Sequence, residues 1–186
     1  MNLNEHLELK GRHAILSPSK HYWLHYDSKE KFEKLVRSAD AVRKGIEDHE
    51  FACMCIQKRR RLDPKAKDTL AMYVNDAIGF KMEPEQVLYY SENCFGTADA
   101  IRFDERKKIL RIHDLKTGIA PASMDQLLGY AGLFCLEYKT KPATIKTELR
   151  IYQNNDIQIY EPDSEELTEV IDQIILANKW VNEIIG

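Results

Sequence analysis

The chain has 186 residues, 44% of them hydrophobic and 31% charged, with a formal net charge of −3. That length suits one domain with a substantial core, and no run of about 18 apolar residues is present from which a membrane helix is built. The mild acidity excludes a global electrostatic pull on nucleic acid. Any such partner must be drawn by local basic clusters, and Lys58-Arg59-Arg60-Arg61 and Arg106-Lys107-Lys108 are the two available. A solvated helix end and a charged hairpin tip account for them equally well. Cys53, Cys55, Cys94 and Cys135 form no CxxC pair, which argues against a zinc ribbon or a disulfide framework. Met1 to His6 lacks the basic and then apolar pattern of a signal peptide, so a cytoplasmic location is expected.

In chain order, Leu16-Ser17-Pro18-Ser19 reads as the start of a short helix bearing Tyr22, Trp23 and Tyr26, an aromatic group better suited to a core than to base stacking. Phe32, Leu35, Val36, Ala39, Val42 and Ile46 recur with a 3.6-residue period and predict a long helix from Lys29 to Gln57. A second helix is expected from Lys65 to Ile78, ending at Gly79. Gln86 to Tyr90 opens a strand, followed by a hairpin around Asp104 to Lys108. Ser123 is placed to cap a helix to Tyr138, with Leu127, Leu128, Ala131, Phe134 and Cys135 turned inward. Thr144 to Tyr152 and Ile157 to Tyr160 read as strands about an Asn-Asn-Asp turn, and Asp163 or Ser164 caps a last helix ending near Ile185. The expected fold is α/β, a mixed central sheet flanked by helices in one domain of residues 1–186, with its core at about 29–160.

The hairpin carries the chemistry. On a strand, side chains alternate between faces, so Leu110, Ile112, Asp114 and Lys116 share one side, as do Asp99, Ile101 and Phe103. Setting Phe103 opposite Leu110 and Ile101 opposite Ile112 brings Asp99 opposite Asp114, with Cβ atoms roughly 4.5–5.5 Å apart. Facing carboxylates repel unless one is protonated or a cation lies between them. Mg²⁺ or Mn²⁺ meets that need with oxygen ligands. The bland alternative is a frayed strand end where Asp114 pairs with Lys116 or Arg111 in solvent. His49 on the long helix suits a third ligand position for Mn²⁺ or Mg²⁺, although a lone histidine also fits a surface or capping place. Gln126 and Tyr130, four apart on one helix face, suit either a phosphate contact and orientation of the lysine or a boundary position.

Gly-Thr-Ala-Asp at 96–99, Asp-Leu-Lys-Thr-Gly at 114–118 and Gln-Leu-Leu-Gly-Tyr at 126–130 together resemble the successive motifs of the PD-(D/E)XK nuclease superfamily, in its RecB-like branch that includes phage recombination exonucleases. The resemblance spans about residues 45–152 and implies a restriction-endonuclease-like αβββαβ core. It implies Asp99, Asp114 and Lys116 as catalytic residues, and His49, Asp99, Asp114 and the main-chain carbonyl of Leu115 as ligands of Mg²⁺ or Mn²⁺. Gln126 and Tyr130 match the QxxxY motif near the active site and DNA, and Ser17 and Ser19 match, loosely, a serine-containing segment of several relatives. The chain departs from the family pattern around the histidine, where it has Ile46 and Cys53, with Glu47 and Glu50 as substitutes nearby. No cysteine follows Cys135, so no iron–sulfur cluster is expected.

The function so implied is a metal-dependent DNA exonuclease in phage-type recombination or DNA repair. Its implied partners are linear duplex ends, a single-strand-annealing protein and further copies of the chain, with no membrane. The alternative is a non-catalytic DNA-binding or recombination-accessory module on the same fold.

Overall fold

A computed structural model describes residues 14–185; Met1 to His6 lies outside them. The chain divides into two compact units, one ending at Ile46 and one beginning at Glu47. In the first, the expected short helix is a 3₁₀ helix, Pro18–His25. Trp23 donates from its indole to the Ser17 carbonyl at 3.1 Å, and Tyr26 meets Phe32 edge-on, whereas Tyr22 is 71% exposed and takes no part in a core.

Helix α1 (Lys29–Gln57) has the bounds its periodicity predicts. Helix α2 (Thr69–Gly79) starts four residues later than expected, because the Asp68 carboxylate accepts the Ala71 amide at 2.9 Å and fixes the N-terminus there. Strands β1 (Glu83–Ser91), β2 (Cys94–Asp104) and β3 (Ile109–Leu115) form an antiparallel meander. Strand β1 begins upstream of Pro84, which a prediction from composition avoids; β1 is an edge strand, where proline's missing donor is tolerated. Helix α3 (Asp125–Glu137) then crosses to β4 (Lys146–Gln153), which pairs parallel to β3, and β5 (Asp156–Tyr160) closes the sheet in the order β1-β2-β3-β4-β5. Asn154 and Asn155, both left-handed at φ 52° and 58°, make the two-residue turn between β4 and β5. Helix α4 (Ser164–Ile185) starts where the Asp163 carboxylate takes the Glu165 and Glu166 amides.

The mixed sheet buries both faces. Leu110 and Ile112 of β3 and Leu149 and Ile151 of β4 pack with Leu127, Ala131 and Phe134 of α3 and Leu167 of α4. On the other face, Ala100, Leu115 and Tyr152 meet Ala52 and Ile56 of α1 and Tyr73, Val74 and Ala77 of α2. The alternation of strand side chains thus supplies two cores from one sheet. Among the described residues no helix is long and apolar enough to cross a membrane.

The second core contains a polar chain. Tyr152 donates to Asp76 at 2.8 Å and lies 3.2 Å from Nδ1 of the fully buried His113, while Arg150 reaches the same Asp76 oxygen at 3.1 Å. Burial, reinforced by Arg150 and Arg111, pushes the His113 pKa well below its ordinary 6.5. The unfolded chain therefore takes up a proton near pH 6.5 that the folded chain refuses, so His113 destabilises the fold as pH falls through that value. We expect the pH dependence of the thermal midpoint between pH 5 and 7 to flatten in His113→Gln; an unchanged slope contradicts a neutral, buried imidazole.

Candidate metal centre at the hairpin end

The β2–β3 register is the one the apolar faces predict, with Ile101 opposite Ile112 and Phe103 opposite Leu110. The paired run stops at Ala100 and His113, one step short of Asp99 and Asp114. The β1–β2 ladder also skips this point, passing from Pro84↔Ala100 to Gln86↔Ala98. Asp99 therefore lies at a break in both ladders. Its carboxylate accepts the Leu115 amide at 2.9 Å, a side chain standing where a strand partner would otherwise bond. Ala98 and Ile101, three residues apart, pack in the same apolar cluster, so β2 does not keep strict alternation through Asp99.

The break admits a residue that sequence reasoning missed. Glu85, in the gap left on β1, has φ 52°, a left-handed conformation that costs a non-glycine residue of order 1 kcal/mol. Ligating atoms of His49, Glu85 and Asp99 all lie within 4.8 Å of one another, and His49 Nδ1 stands 3.6 Å from Asp99 Oδ2. The acidic neighbour of His49 in this group comes from β1, and not from Glu47 or Glu50 on its own helix. The signal was the β1 register, which sets Glu85 across from Asp99, but reading it requires β1 to run through Pro84.

Asp114 enters from the other side. It is 2% exposed, and Lys116 Nζ lies 3.1 Å from its Oδ1 and 3.0 Å from its Oδ2. The contact to Oδ2 lies off the bonding direction, so that buried oxygen makes no hydrogen bond. Lys116 also donates to Gln126 Oε1 at 2.8 Å, and Gln126 donates to the Tyr130 hydroxyl at 3.2 Å. The spacing of four on α3 thus becomes a line of contacts from phenol to amide to ammonium to carboxylate. Gly96 lets that line close, since a Cβ there would fall 2.9 Å from the Tyr130 ring.

The structure brings His49 and Asp99 together with Glu85 as candidate ligands, and links Asp114, Lys116, Gln126 and Tyr130 in a separate line of contacts; Asp114, expected as a ligand, is not in the first group. Leu115 contributes its amide to Asp99; its carbonyl belongs to the same strand end. Ser17 and Ser19 belong to the N-terminal unit, where their hydroxyls bond each other at 2.8 Å.

Burial raises the pKa of Asp99, and Glu85 adds to the effect, against the Leu115 amide, His49 and Lys116. Burial and then Asp99 raise that of Asp114, against Lys116 and His49. The imidazole of His49 and the carboxylates of Glu85 and Asp99 are nitrogen and oxygen donors of a kind that could hold a divalent ion, and Asp114 is not in that group. No protein-family model, no curated protein and no solved structure matches this chain.

Because the folded carboxyls keep their protons to higher pH than unfolded ones, ordinarily 3.8, their ionisation opposes folding at neutral pH and ceases to do so as pH falls. In chelator at pH 7, Asp99→Asn and Asp114→Asn should each raise the thermal midpoint by about 2–4 °C, the equivalent of roughly 1 kcal/mol at this size. Mn²⁺ should raise the wild-type midpoint and leave Asp99→Asn unmoved. Lower midpoints for both variants in chelator would show that the charges are already satisfied without a cation.

Proposed function

We propose that this chain is a Mg²⁺- or Mn²⁺-dependent deoxyribonuclease, most simply an exonuclease acting on linear duplex ends, built on a restriction-endonuclease-like core. The observation that carries the reading is the meeting of Lys116 with Asp114 at 3.0 Å, beside an Asp99 that both ladders leave unpaired. The order of a long helix, three antiparallel strands, a helix and a parallel strand supports it, as do the three motifs at 96–99, 114–118 and 126–130. Membership of the RecB-like branch rests on those motifs.

In this reading His49, Asp99, Asp114 and the Leu115 carbonyl hold the metal, with Glu85 as a further carboxylate beside His49 and Asp99. Such an ion, when bound, polarises a scissile phosphate and lowers the pKa of a bound water. The residues of the chain do the rest. Lys116 presents an ammonium to the attacking water and to the phosphate, offsetting the charge that develops there. Lys116 donates to Gln126 as well as to Asp114, and Gln126 donates to Tyr130. The Leu115 amide keeps the Asp99 carboxylate from swinging away. Neither Gln126 nor Tyr130 needs to touch the reacting atoms to matter, since each fixes the direction of the ammonium.

Purified protein should degrade linear duplex DNA in Mg²⁺ or Mn²⁺ and not in chelator. Asp114→Ala and Lys116→Ala should each lower the rate by about 10³-fold, and Gln126→Ala by about tenfold, because it acts through Lys116. Faster loss of linear than of circular DNA is expected of an exonuclease. Full activity in Asp114→Ala, or a wild type that binds DNA and never cleaves it, defeats the enzymatic reading; the second result favours a DNA-binding accessory module.

A further inference from the structure

At the far end of the hairpin, cations from the end of α2, from β2, from the turn and from β3 gather at one place. A cleft of about 750 Å³ is lined by Lys81, Arg102, Arg106, Lys107 and Arg111, and Arg61 Nη2 comes within 3.6 Å of where a side chain on Gly79, another lining residue, would begin. In a chain of net charge −3, five cations thus line one cleft whose lining acids are Asp104 and Glu105, and one of the five, Arg111, is paired with Glu148 at 3.0 Å. Asp104 is taken up in part by the turn, accepting the Arg106 and Lys107 amides at 3.1 and 3.0 Å. Lys81, Arg102, Arg106 and Lys107 make no salt bridge among the described residues. Lys81 also follows the end of α2 in a left-handed conformation, φ 58°, where glycine is the usual occupant.

We propose that this cleft binds the phosphodiester backbone of a nucleic-acid strand, at a place separate from the carboxylate centre. The cations spread over a helix end and a hairpin tip, an extended array suited to several successive phosphates. Of the two aromatics at its wall, Phe80 already carries the Arg111 and Arg150 guanidiniums 4.5 and 4.8 Å from its ring centre, and Phe103 packs on Phe134 with Lys108 Nζ 5.9 Å from its ring centre, so neither offers a bare platform for a base. Recognition is therefore of charge and not of sequence. Five residues of β2 separate Asp99 from Asp104, roughly 17 Å of extended chain, so the grip and the carboxylates act on different parts of a strand. The proposal stands whether or not the carboxylate centre cleaves DNA.

The test is fluorescence anisotropy of a labelled oligothymidylate with the full chain in chelator, across a salt series. Arg102→Gln with Lys107→Gln should weaken binding at least about tenfold and flatten the salt slope by about 0.7 for each phosphate that is no longer neutralised. Arg102→Lys with Lys107→Arg should restore both, which separates charge from folding. Unchanged affinity and slope in the double glutamine variant overturns the proposal. So does tripolyphosphate that binds more tightly per phosphate than the oligonucleotide, which would make this a small-polyphosphate site.

Discussion

Two carboxylates, Asp99 and Asp114, are held largely out of water at the open end of an antiparallel hairpin, away from its turn, and the surrounding structure answers to that constraint. Burial opposes the charge on both, Glu85 adds to that at Asp99, and Asp99 adds to it at Asp114. The chain relieves this only in part. Leu115 gives its amide to Asp99 and Lys116 its ammonium to Asp114, yet one oxygen of Asp114 is left without a hydrogen bond. A fold that merely tolerated these residues would have exposed them or filled their positions with apolar side chains.

The secondary structure serves the same place from several directions. The parallel pairing of β3 with β4 requires a crossover, and the crossover helix α3 brings Gln126 and Tyr130 over the end of β3. Helix α1 brings His49 from the opposite face. Strand β1 brings Glu85 through a left-handed residue, a local cost accepted where the ladder is already interrupted. The apolar residues that fix the β2–β3 register, Ile101, Phe103, Leu110 and Ile112, thereby also set the separation of the charges at its end.

Much of this is legible in the residues. Periodicity places α1 because its apolar positions repeat from Phe32 to Ile46, and the hairpin register follows from matching two short apolar faces. The line from Asp114 to Tyr130 is readable as well, since spacings of two on a strand and four on a helix leave little freedom. What escapes is what depends on tertiary exceptions. Pro84 hides the start of β1, because its cost vanishes only on an edge strand, and that conceals Glu85. The start of α2 at Thr69 depends on a capping bond from Asp68 that competes with Lys65 to Lys67, all good helix formers or neutral. Matching the apolar faces predicts Asp99 directly opposite Asp114, but not that the pairing stops one step short of them and Asp99 takes the Leu115 amide instead. Nor does any local pattern tell that Lys81, Arg102 and Arg111, outside both basic runs, join Arg106 and Lys107 at one cleft.

A divalent cation at the hairpin end is what would resolve the charge there, and anomalous diffraction from crystals grown with Mn²⁺ tests this most directly. One strong peak is expected, bound by Asp99 and Asp114, within about 2.0–2.6 Å of carboxylate oxygens and beside His49 and Glu85. No peak there, with Asp99 and Asp114 drawn together over a shared proton, would contradict it.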